Sequence, residues 1–430
     1  MQRNEHVDRA TFKRIFADHW EAFKKACPRF DTPHVNDVVR KMLACGDPEQ
    51  MGFVQYRCTN CGETRRIAFT CKSAFCLSCG KPYTERWVDF IGRRLLPGVT
   101  YRHFVLTVPD FLRLPFYRDP ELLSPLMQTG HACMLDVFKT CAGEDLDIGC
   151  VIVLQTAGRP GNYNPHLHML VTAGGINPRG GWTPVSYVPY DILHRKWQYH
   201  LLTMMRQLLP DEKTAADIEQ GWSGYPKGFV AHLQPGDVPP GGKGLARYLA
   251  RYVVSPPISV RRIERYDGRT VSYWYRDHKT GRIEHATLPV LRFIGRMVQH
   301  ILPKGFQRIR YYGLHGNRRY ARMRETIGAI LPAKAPRDPR GFRVLPRMRF
   351  ADLFRKAFGK DPLLCPVCGE RMELELISHP DHGILRDYFS GAGGFVEPVE
   401  REPRRPDVGP GPGRPVDRAE RMVQISLPFM

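Results

Sequence analysis

The chain has 430 residues, a length typical of about two or three domains. Lysine and arginine total 64 against 43 acidic residues, which gives a formal charge of +21, and the pI is near 9.6. Hydrophobic residues make up 42% of the chain, which excludes a wholly disordered or collagen-like protein. No apolar run approaches the roughly 18 residues of a membrane helix, and the N-terminus has no signal-peptide core, so we expect a cytoplasmic protein. The charge excess indicates a polyanionic partner, most commonly nucleic acid.

The first part of the chain changes from helical to cysteine-rich. Residues 1–45 carry two hydrophobic stripes with helical spacing, which predict two helices separated by a proline. Residues 46–80 contain short β-prone pieces separated by cysteine-bearing turns. A helix containing Trp87 is predicted to follow. We therefore expect a small helical and zinc-ribbon-like domain over 1–98.

From residue 99 the pattern predicts an α+β domain with an antiparallel sheet and packed helices, ending near 330. Residues 149–155 and 166–172 are predicted strands, and the Gly- and Asn-containing stretch between them allows an antiparallel hairpin. Further strands are predicted at 101–108, 271–276 and 282–288, and helices at about 121–141, 190–209, 243–254 and 290–302. Glycine and proline fill 12 of the 25 positions from Gly391 to Pro415, which predicts a disordered tail over 391–430.

Five cysteines in the first part of the chain have metal-ligand spacing. Their run is Cys58-x2-Cys61-x9-Cys71-x4-Cys76-x2-Cys79. A CxxC turn places two thiolates on one side of a zinc ion, and a following glycine permits the tight backbone there. The two CxxC pairs therefore predict one structural zinc site made of Cys58, Cys61, Cys76 and Cys79. Cys45 and Cys71 are left over, either as alternative ligands or as members of a second site.

A third CxxC pair lies in the C-terminal segment 331–390. It reads Cys365-Pro-Val-Cys368-Gly369 and is followed by two histidines, His379 and His382. A second zinc site is therefore a candidate here, and its other ligands are open. They are either the two local histidines or the leftover pair Cys45 and Cys71.

Two histidines at strand spacing form the candidate catalytic metal site. In Asn164-Pro-His166-Leu167-His168, the period of two points both imidazoles to one face of a strand and Leu167 into a core. If the two predicted strands pair, Gln155 supplies an oxygen ligand on the same face. A metal held on one side only can polarise and align a phosphodiester. The mixed nitrogen and oxygen set does not by itself select Mg²⁺ or Mn²⁺.

The segment around 243–254 carries two tyrosines and three cations at helical spacing. Tyr248 and Tyr252 lie one turn apart, beside a cationic stripe made of Lys243, Arg247 and Arg251. Phenols beside cations and a metal are what covalent phosphoryl transfer requires. Taken singly, the paired histidines and this helix also fit ordinary packing or surface roles.

Together, the order and spacing of these motifs resemble the HUH rolling-circle transposases of bacterial insertion sequences, of the two-tyrosine, insertion-sequence ninety-one type. The resemblance covers most of the chain to about residue 330. It rests on the His-Leu-His motif and on the segments 71–79, 103–109, 248–252 and 302–313. It implies an HUH nuclease domain over 99–330, preceded by a zinc-binding domain that holds DNA.

The resemblance also implies residue roles. His166 and His168 match the histidines that bind Mg²⁺ or Mn²⁺, and Gln155 sits where a third ligand is expected. Tyr248 and Tyr252 match the paired nucleophiles, of which one cleaves single-stranded DNA, keeps the 5′ phosphate and frees a 3′ hydroxyl. The cations beside them would contact phosphates. The expected partner is therefore single-stranded or hairpin DNA at the element ends.

Two positions depart from the family pattern, because Asn164 and Phe75 stand where histidines are expected. Two other functions share parts of the pattern. One is a plasmid replication initiator or relaxase with the same chemistry, and the other is a zinc-dependent nucleic-acid-binding regulator without enzymatic activity. The oligomeric state, the recognised sequences and the order in which the tyrosines act do not follow from the sequence.

Overall fold

The computed structural model describes residues 10–80, 98–234, 257–277, 280–331, 350–359 and 361–389, together with 85, 87, 90–92 and 94–96. The chain divides into a large unit, Met1–Leu43 with Lys72–Lys360, and a small unit, Ala44–Cys71 with Asp361–Met430. This division differs from the predicted boundaries at 98 and 330, because the cysteine-bearing hairpin groups with the C-terminal segment rather than with the first two helices. The predicted helix 243–254 and the predicted tail 391–430 lie outside the described residues.

Ten α-helices have described bounds in the part of the chain given above. In chain order they are α1 (Thr11–Ala26), α2 (Pro33–Ala44), α3 (Pro48–Met51), α4 (Arg113–Arg118), α5 (Leu123–Ala142), α6 (Tyr190–Leu208), α7 (Glu212–Gly224), α8 (Val290–Val298), α9 (Tyr320–Ile330) and α10 (Phe350–Phe358). Among these described helices, none combines the length and the apolar character needed to cross a bilayer.

The strands form three antiparallel sheets. In chain order they are β1 (Phe53–Cys58), β2 (Thr64–Ala68), β3 (Tyr101–Thr107), β4 (Asp147–Ala157), β5 (Tyr163–Ile176), β6 (Trp182–Pro184), β7 (Ala231–Leu233), β8 (Ile263–Tyr266), β9 (Thr270–Arg276), β10 (Ile283–Pro289), β11 (Ile309–Gly313), β12 (Met372–His379) and β13 (Gly383–Asp387). The predicted α+β class is confirmed. The strands β6, β7, β8, β11, β12 and β13 lie where the sequence predicts none.

A six-stranded sheet forms the centre of the large unit. Its order is β11-β4-β5-β3-β7, with β6 paired to β5, and β4 and β5 form the predicted hairpin. One face carries Leu167 and Met169, both fully buried in the main core with residues of α5 and α6. The opposite face carries Leu170 and Val153 in a smaller core. On this second face, the polar side chains of Gln155, His166 and His168 lie next to Val153 and Leu170 along β4 and β5.

The large unit also contains a three-stranded sheet with the order β10-β9-β8, followed by α8. The helix ends at Val298 rather than at the predicted residue 302. His300 beyond it is buried, and its Nε2 donates to the Gly161 carbonyl at 3.2 Å while its Nδ1 accepts from the Thr156 hydroxyl at 3.1 Å. These hydrogen bonds hold the ring against the β4–β5 hairpin.

The small unit contains α3 and a four-stranded sheet with the order β13-β12-β1-β2. Strand β1 lies in the middle and pairs with β2 from its own hairpin and with β12 from the C-terminal segment. The sheet is therefore assembled from two stretches that are far apart in the sequence.

Candidate functional site

The predicted metal ligands lie on adjacent strands of the six-stranded sheet. Gln155 on β4 is directly opposite His166 on β5, and His168 follows two residues later on the same face. Because successive side chains of a strand alternate between the two faces, Leu167 between the histidines points into the main core. The strand register thus fixes all three polar side chains on one face.

The three ligand atoms converge. Gln155 Oε1 lies 3.1 Å from His166 Nε2 and 3.2 Å from His168 Nε2. His166 Nδ1 donates to the Asn164 carbonyl at 2.7 Å, so the neutral ring keeps the lone pair of its Nε2 toward Gln155. Two imidazole nitrogens and one amide oxygen therefore meet at a single point on the sheet, and such a set can hold a divalent cation with its other positions open.

Burial keeps the imidazoles uncharged. Removal from water lowers the pKa of His166 and holds the pKa of His168 well below its usual value, and the neighbouring rings of His166 and His103 lower the latter further. A neutral imidazole is the form that binds a metal. Both histidines are therefore in the ligand form at neutral pH.

A third histidine supports the site from the opposite side. His103 on β3 places its Nε2 3.1 Å from Nδ1 of His168, and the two rings stack with a 6° interplanar angle. Burial lowers the pKa of His103 to about 4, so this ring is also neutral. When His168 Nδ1 donates to His103, Nε2 of His168 is left as the ligand atom. Such a partner fixes both the tautomer and the ring orientation of a metal ligand.

The site opens into a cleft of about 1090 Å³ within the large unit. Three arginines line it, Arg159, Arg262 and Arg308, and no aspartate or glutamate is among the described lining residues. Trp87 and Tyr190 also line the cleft and offer aromatic surfaces. Cations attract phosphates and aromatic rings stack on unpaired bases, so the lining suits a single-stranded nucleic acid.

The predicted nucleophiles Tyr248 and Tyr252 lie outside the described residues, as do the three predicted phosphate contacts Lys243, Arg247 and Arg251. The described residues on either side of that segment, Gln234 and Pro257, both line the cleft.

The structure groups the predicted zinc ligands differently from the sequence prediction. Cys58 and Cys61 lie with Cys365 and Cys368, not with the second CxxC pair of the predicted set. The four sulphur atoms of this cluster lie within 4.8 Å of one another, which suggests zinc as the ion.

The two histidines proposed for a second zinc site take no part in this cluster. His379 and His382 stack on each other at 4.9 Å between ring centroids, at the turn between β12 and β13. His379 Nδ1 accepts from the backbone amide of Asp381. Neither completion predicted for the third CxxC pair, by these histidines or by Cys45 and Cys71, matches the structure, because Cys58 and Cys61 lie next to Cys368 and Cys365.

Comparisons with known proteins show which family the chain belongs to. The family described as "Transposase zinc-binding domain" matches residues 15–108, and the family described as "Putative transposase" matches residues 149–322. The "Transposase for insertion sequence element IS801" of Pseudomonas savastanoi pv. phaseolicola is 31% identical over 348 residues, which cover 78% of this chain and 82% of that protein. The chain belongs to the IS91 family of transposases.

A second relative agrees with this assignment. The "Putative transposase y4qJ" of Sinorhizobium fredii (strain NBRC 101917 / NGR234) is 27% identical over 389 residues, 84% of this chain and 94% of that protein. No solved structure matches the chain. Membership of the IS91 family makes the protein a DNA-binding and DNA-processing transposase, and it favours that interpretation over an initiator, a relaxase or a regulator without activity.

Sequence reasoning gave no role to His103 or to the arginines of the cleft. A period of two along β3 already places His103, Val105 and Thr107 on one face. The sequence does not reveal that β3 pairs with β5, and this pairing brings His103 to His168. The arginines come from three separate segments, and only the fold brings them to one cleft.

Proposed function

We propose that this IS91-family transposase nicks and rejoins single-stranded DNA at the ends of its insertion sequence through a 5′-phosphotyrosine intermediate. The observation that carries the proposal is the convergence of Gln155 Oε1 with the Nε2 atoms of His166 and His168 in a cleft lined by arginines. These three side chains would hold Mg²⁺ or Mn²⁺. When bound, the ion supplies electrophilic activation and alignment of the scissile phosphate.

Side chains of the cleft would bind the DNA, and the sheet positions the metal ligands. The arginines of the cleft hold the phosphates on either side of the scissile one, and the aromatic side chains hold unpaired bases. The sheet keeps the three ligand side chains fixed, because their strands are hydrogen-bonded to one another and Leu167 and Met169 anchor β5 in the core. This preorganisation is what stabilisation of a charged transition state requires.

The nucleophiles in this proposal are Tyr248 and Tyr252. The phenol oxygen of one forms a new bond to phosphorus, the bond from phosphorus to the 3′ oxygen breaks, and that oxygen leaves as a hydroxyl with the proton that the phenol gives up. The reverse reaction with a new 3′ hydroxyl rejoins DNA. The second tyrosine would serve the other element end or the target, as rolling-circle-like transposition requires. Support comes from Gln234 and Pro257, which flank the tyrosine segment and line the cleft.

A covalent-adduct assay tests the proposal. A single-stranded oligonucleotide that spans an element end, labelled at its 3′ end, is incubated with protein and Mn²⁺. We expect the label to migrate with the protein in denaturing gels, and to be lost with a chelator and in Tyr248→Phe/Tyr252→Phe. Each single substitution then identifies the tyrosine that acts first.

Tyr187→Phe is the matched control, because Tyr187 is 70% exposed and does not line the cleft. Its adduct should equal that of the unmodified protein. An adduct that persists in the double variant would refute the assigned nucleophiles, and an adduct that forms with all divalent metal removed would refute the metal site.

A further inference from the structure

Four thiols of the small unit form a cluster that joins two distant parts of the chain. Cys58 Sγ lies 3.5 Å from Cys368 Sγ, and Cys61 Sγ lies 3.5 Å from Cys365 Sγ. The members of these pairs are 310 and 304 residues apart in the sequence. A tetrahedral zinc ion with bonds of about 2.3 Å to sulphur separates its ligand atoms by about 3.8 Å. The cluster therefore has the dimensions of a zinc tetrathiolate.

The backbone around both thiol pairs is folded in the same way. In the first pair, the Gly62 amide donates to the Cys58 carbonyl at 2.9 Å and the Cys58 amide donates to the Glu63 carbonyl at 2.8 Å. The equivalent hydrogen bonds of the second pair measure 3.0 and 2.8 Å. The glycine that follows each pair has φ of +76° and +77°, a region that favours glycine. Two matching knuckles thus present their sulphur atoms to each other.

The strands that carry the knuckles are held in register by polar side chains. Glu375 on β12 accepts from Gln55 Nε2 at 2.9 Å and from Arg57 Nε at 2.8 Å, both on β1. Arg66 on β2 donates to Gln55 Oε1 at 2.7 Å. Glu375 and Gln55 are both buried, so a shift in register would leave their polar atoms without these partners. The pairing of β1 with β12 is therefore specific, and it places the knuckles side by side.

The described apolar core beside the cluster is small. It consists of Cys58, Cys365 and Met372, with Tyr56 packed against it. A unit with so few buried apolar side chains gains little from hydrophobic burial, and small domains of this kind commonly depend on a metal or on disulfides. The described cysteines of the small unit form no disulfide that could supply this stability.

We propose that Cys58, Cys61, Cys365 and Cys368 bind one Zn²⁺ ion that closes a ribbon made from the N-terminal and C-terminal parts of the chain. Two of these ligands lie outside residues 15–108, the extent of the match to the zinc-binding family. The C-terminal segment is thus a structural half of the zinc-binding region. The site does not depend on the nuclease chemistry proposed above.

Zinc content of the purified full-length protein tests the site. We expect Cys58→Ser and Cys365→Ser each to lose one zinc ion per chain, and the double variant Cys58→Ser/Cys365→Ser to lose only that same ion. If the two knuckles belonged to separate sites, the double variant would lose two. His379→Ala and Cys141→Ser are matched controls and should keep the full content. A Cys365→Ser protein with unchanged zinc content would overturn the proposal.

A second measurement does not require that a cysteine variant folds. After zinc is removed from the unmodified protein with a chelator, mild oxidation should form a disulfide between the two knuckles, identified by mass spectrometry of the joined peptides. Zinc added before oxidation should prevent it. Cross-linking to the same extent in the zinc-loaded protein would contradict the assignment of these four thiols to one ion. Adduct formation on DNA is scored separately, so failure of the ribbon and failure of the nuclease proposal remain distinguishable.

Discussion

The imidazole site of the large unit and the thiol cluster of the small unit are built on opposite principles. Gln155, His166 and His168 come from two adjacent strands of one hairpin, and a buried sheet fixes their positions. The thiol cluster joins strands whose cysteines are more than 300 residues apart, around a core of few side chains. The first site is therefore preorganised by its scaffold, whereas in the second the ion itself should hold the scaffold together.

The largest effect should follow from removing a ligand of the preorganised site. We expect His168→Ala to reduce the rate of adduct formation by about 10³-fold, because electrostatic stabilisation of the transition state is lost. The folded structure should remain, since the sheet does not depend on the ion. Adduct formation and the thermal unfolding temperature, measured side by side, check both statements. If the variant were unfolded at room temperature, the fold around the imidazole site would also depend on the ion, and the contrast with the thiol cluster would be wrong.

The opposite pattern is expected for the thiol cluster. Cys365→Ser should lower the temperature at which the small unit unfolds, and Cys58→Ser/Cys365→Ser should lower it no further, since either change releases the same ion. Thermal unfolding monitored by circular dichroism, with and without added zinc, measures this. Additive losses in the double variant would mean that the two knuckles act independently.

A smaller effect should follow from the loss of the residue that supports His168. His103→Ala should weaken metal binding by about 10- to 100-fold. At high Mn²⁺ concentration, its rate of adduct formation should return to nearly that of the unmodified protein. Titration of Mn²⁺ in the adduct assay separates the two quantities. His285→Ala, at an exposed position on β10, is the control and should not shift the titration. A lower rate at saturating Mn²⁺ with an unchanged midpoint would contradict a positioning role.

A modest effect on DNA affinity is expected when one arginine of the cleft loses its charge. Arg308→Gln should weaken binding of single-stranded DNA about equally for different sequences and reduce the slope of log affinity against log salt concentration by about 0.7. Arg282→Gln, which is exposed and does not line the cleft, should change neither quantity. Fluorescence anisotropy over a range of salt concentrations provides the measurement. Equal effects of the two substitutions would argue against the cleft as the binding surface.

The smallest effect concerns pH. Burial lowers the pKa of His300 to about 4 and that of His315 to about 3. The unfolded chain therefore binds more protons than the folded one below about pH 6.5, so the free energy of unfolding should fall as pH decreases from there toward 4. His300→Gln should flatten this dependence. Denaturant unfolding at a series of pH values tests it, and an unchanged slope in the variant would refute the contribution of His300.

The contrast between the two sites also explains what the sequence could predict. The period of two around His166 and His168, with a hairpin after Gln155, is local, so the pairing of β4 with β5 could be anticipated. A CxxC motif shows that two thiols share an ion, but it carries no information about the other two ligands. For that reason the spacing predicts the nearest second pair as the partner of Cys58 and Cys61, whereas the fold supplies a distant one. The contact of His103 with His168 depends on the pairing of β3 with β5, and the sequence alone does not show which strands are neighbours in the sheet.

The first half of the small unit, Ala44–Cys71, is inserted near the start of the large unit's sequence, and the second half follows the large unit. During synthesis, the first knuckle leaves the ribosome while its counterpart is still untranslated, and it stays open until Cys365 and Cys368 emerge. A gene copy interrupted before these codons gives a product whose ribbon has no second half. Truncated products should therefore be susceptible to proteolysis.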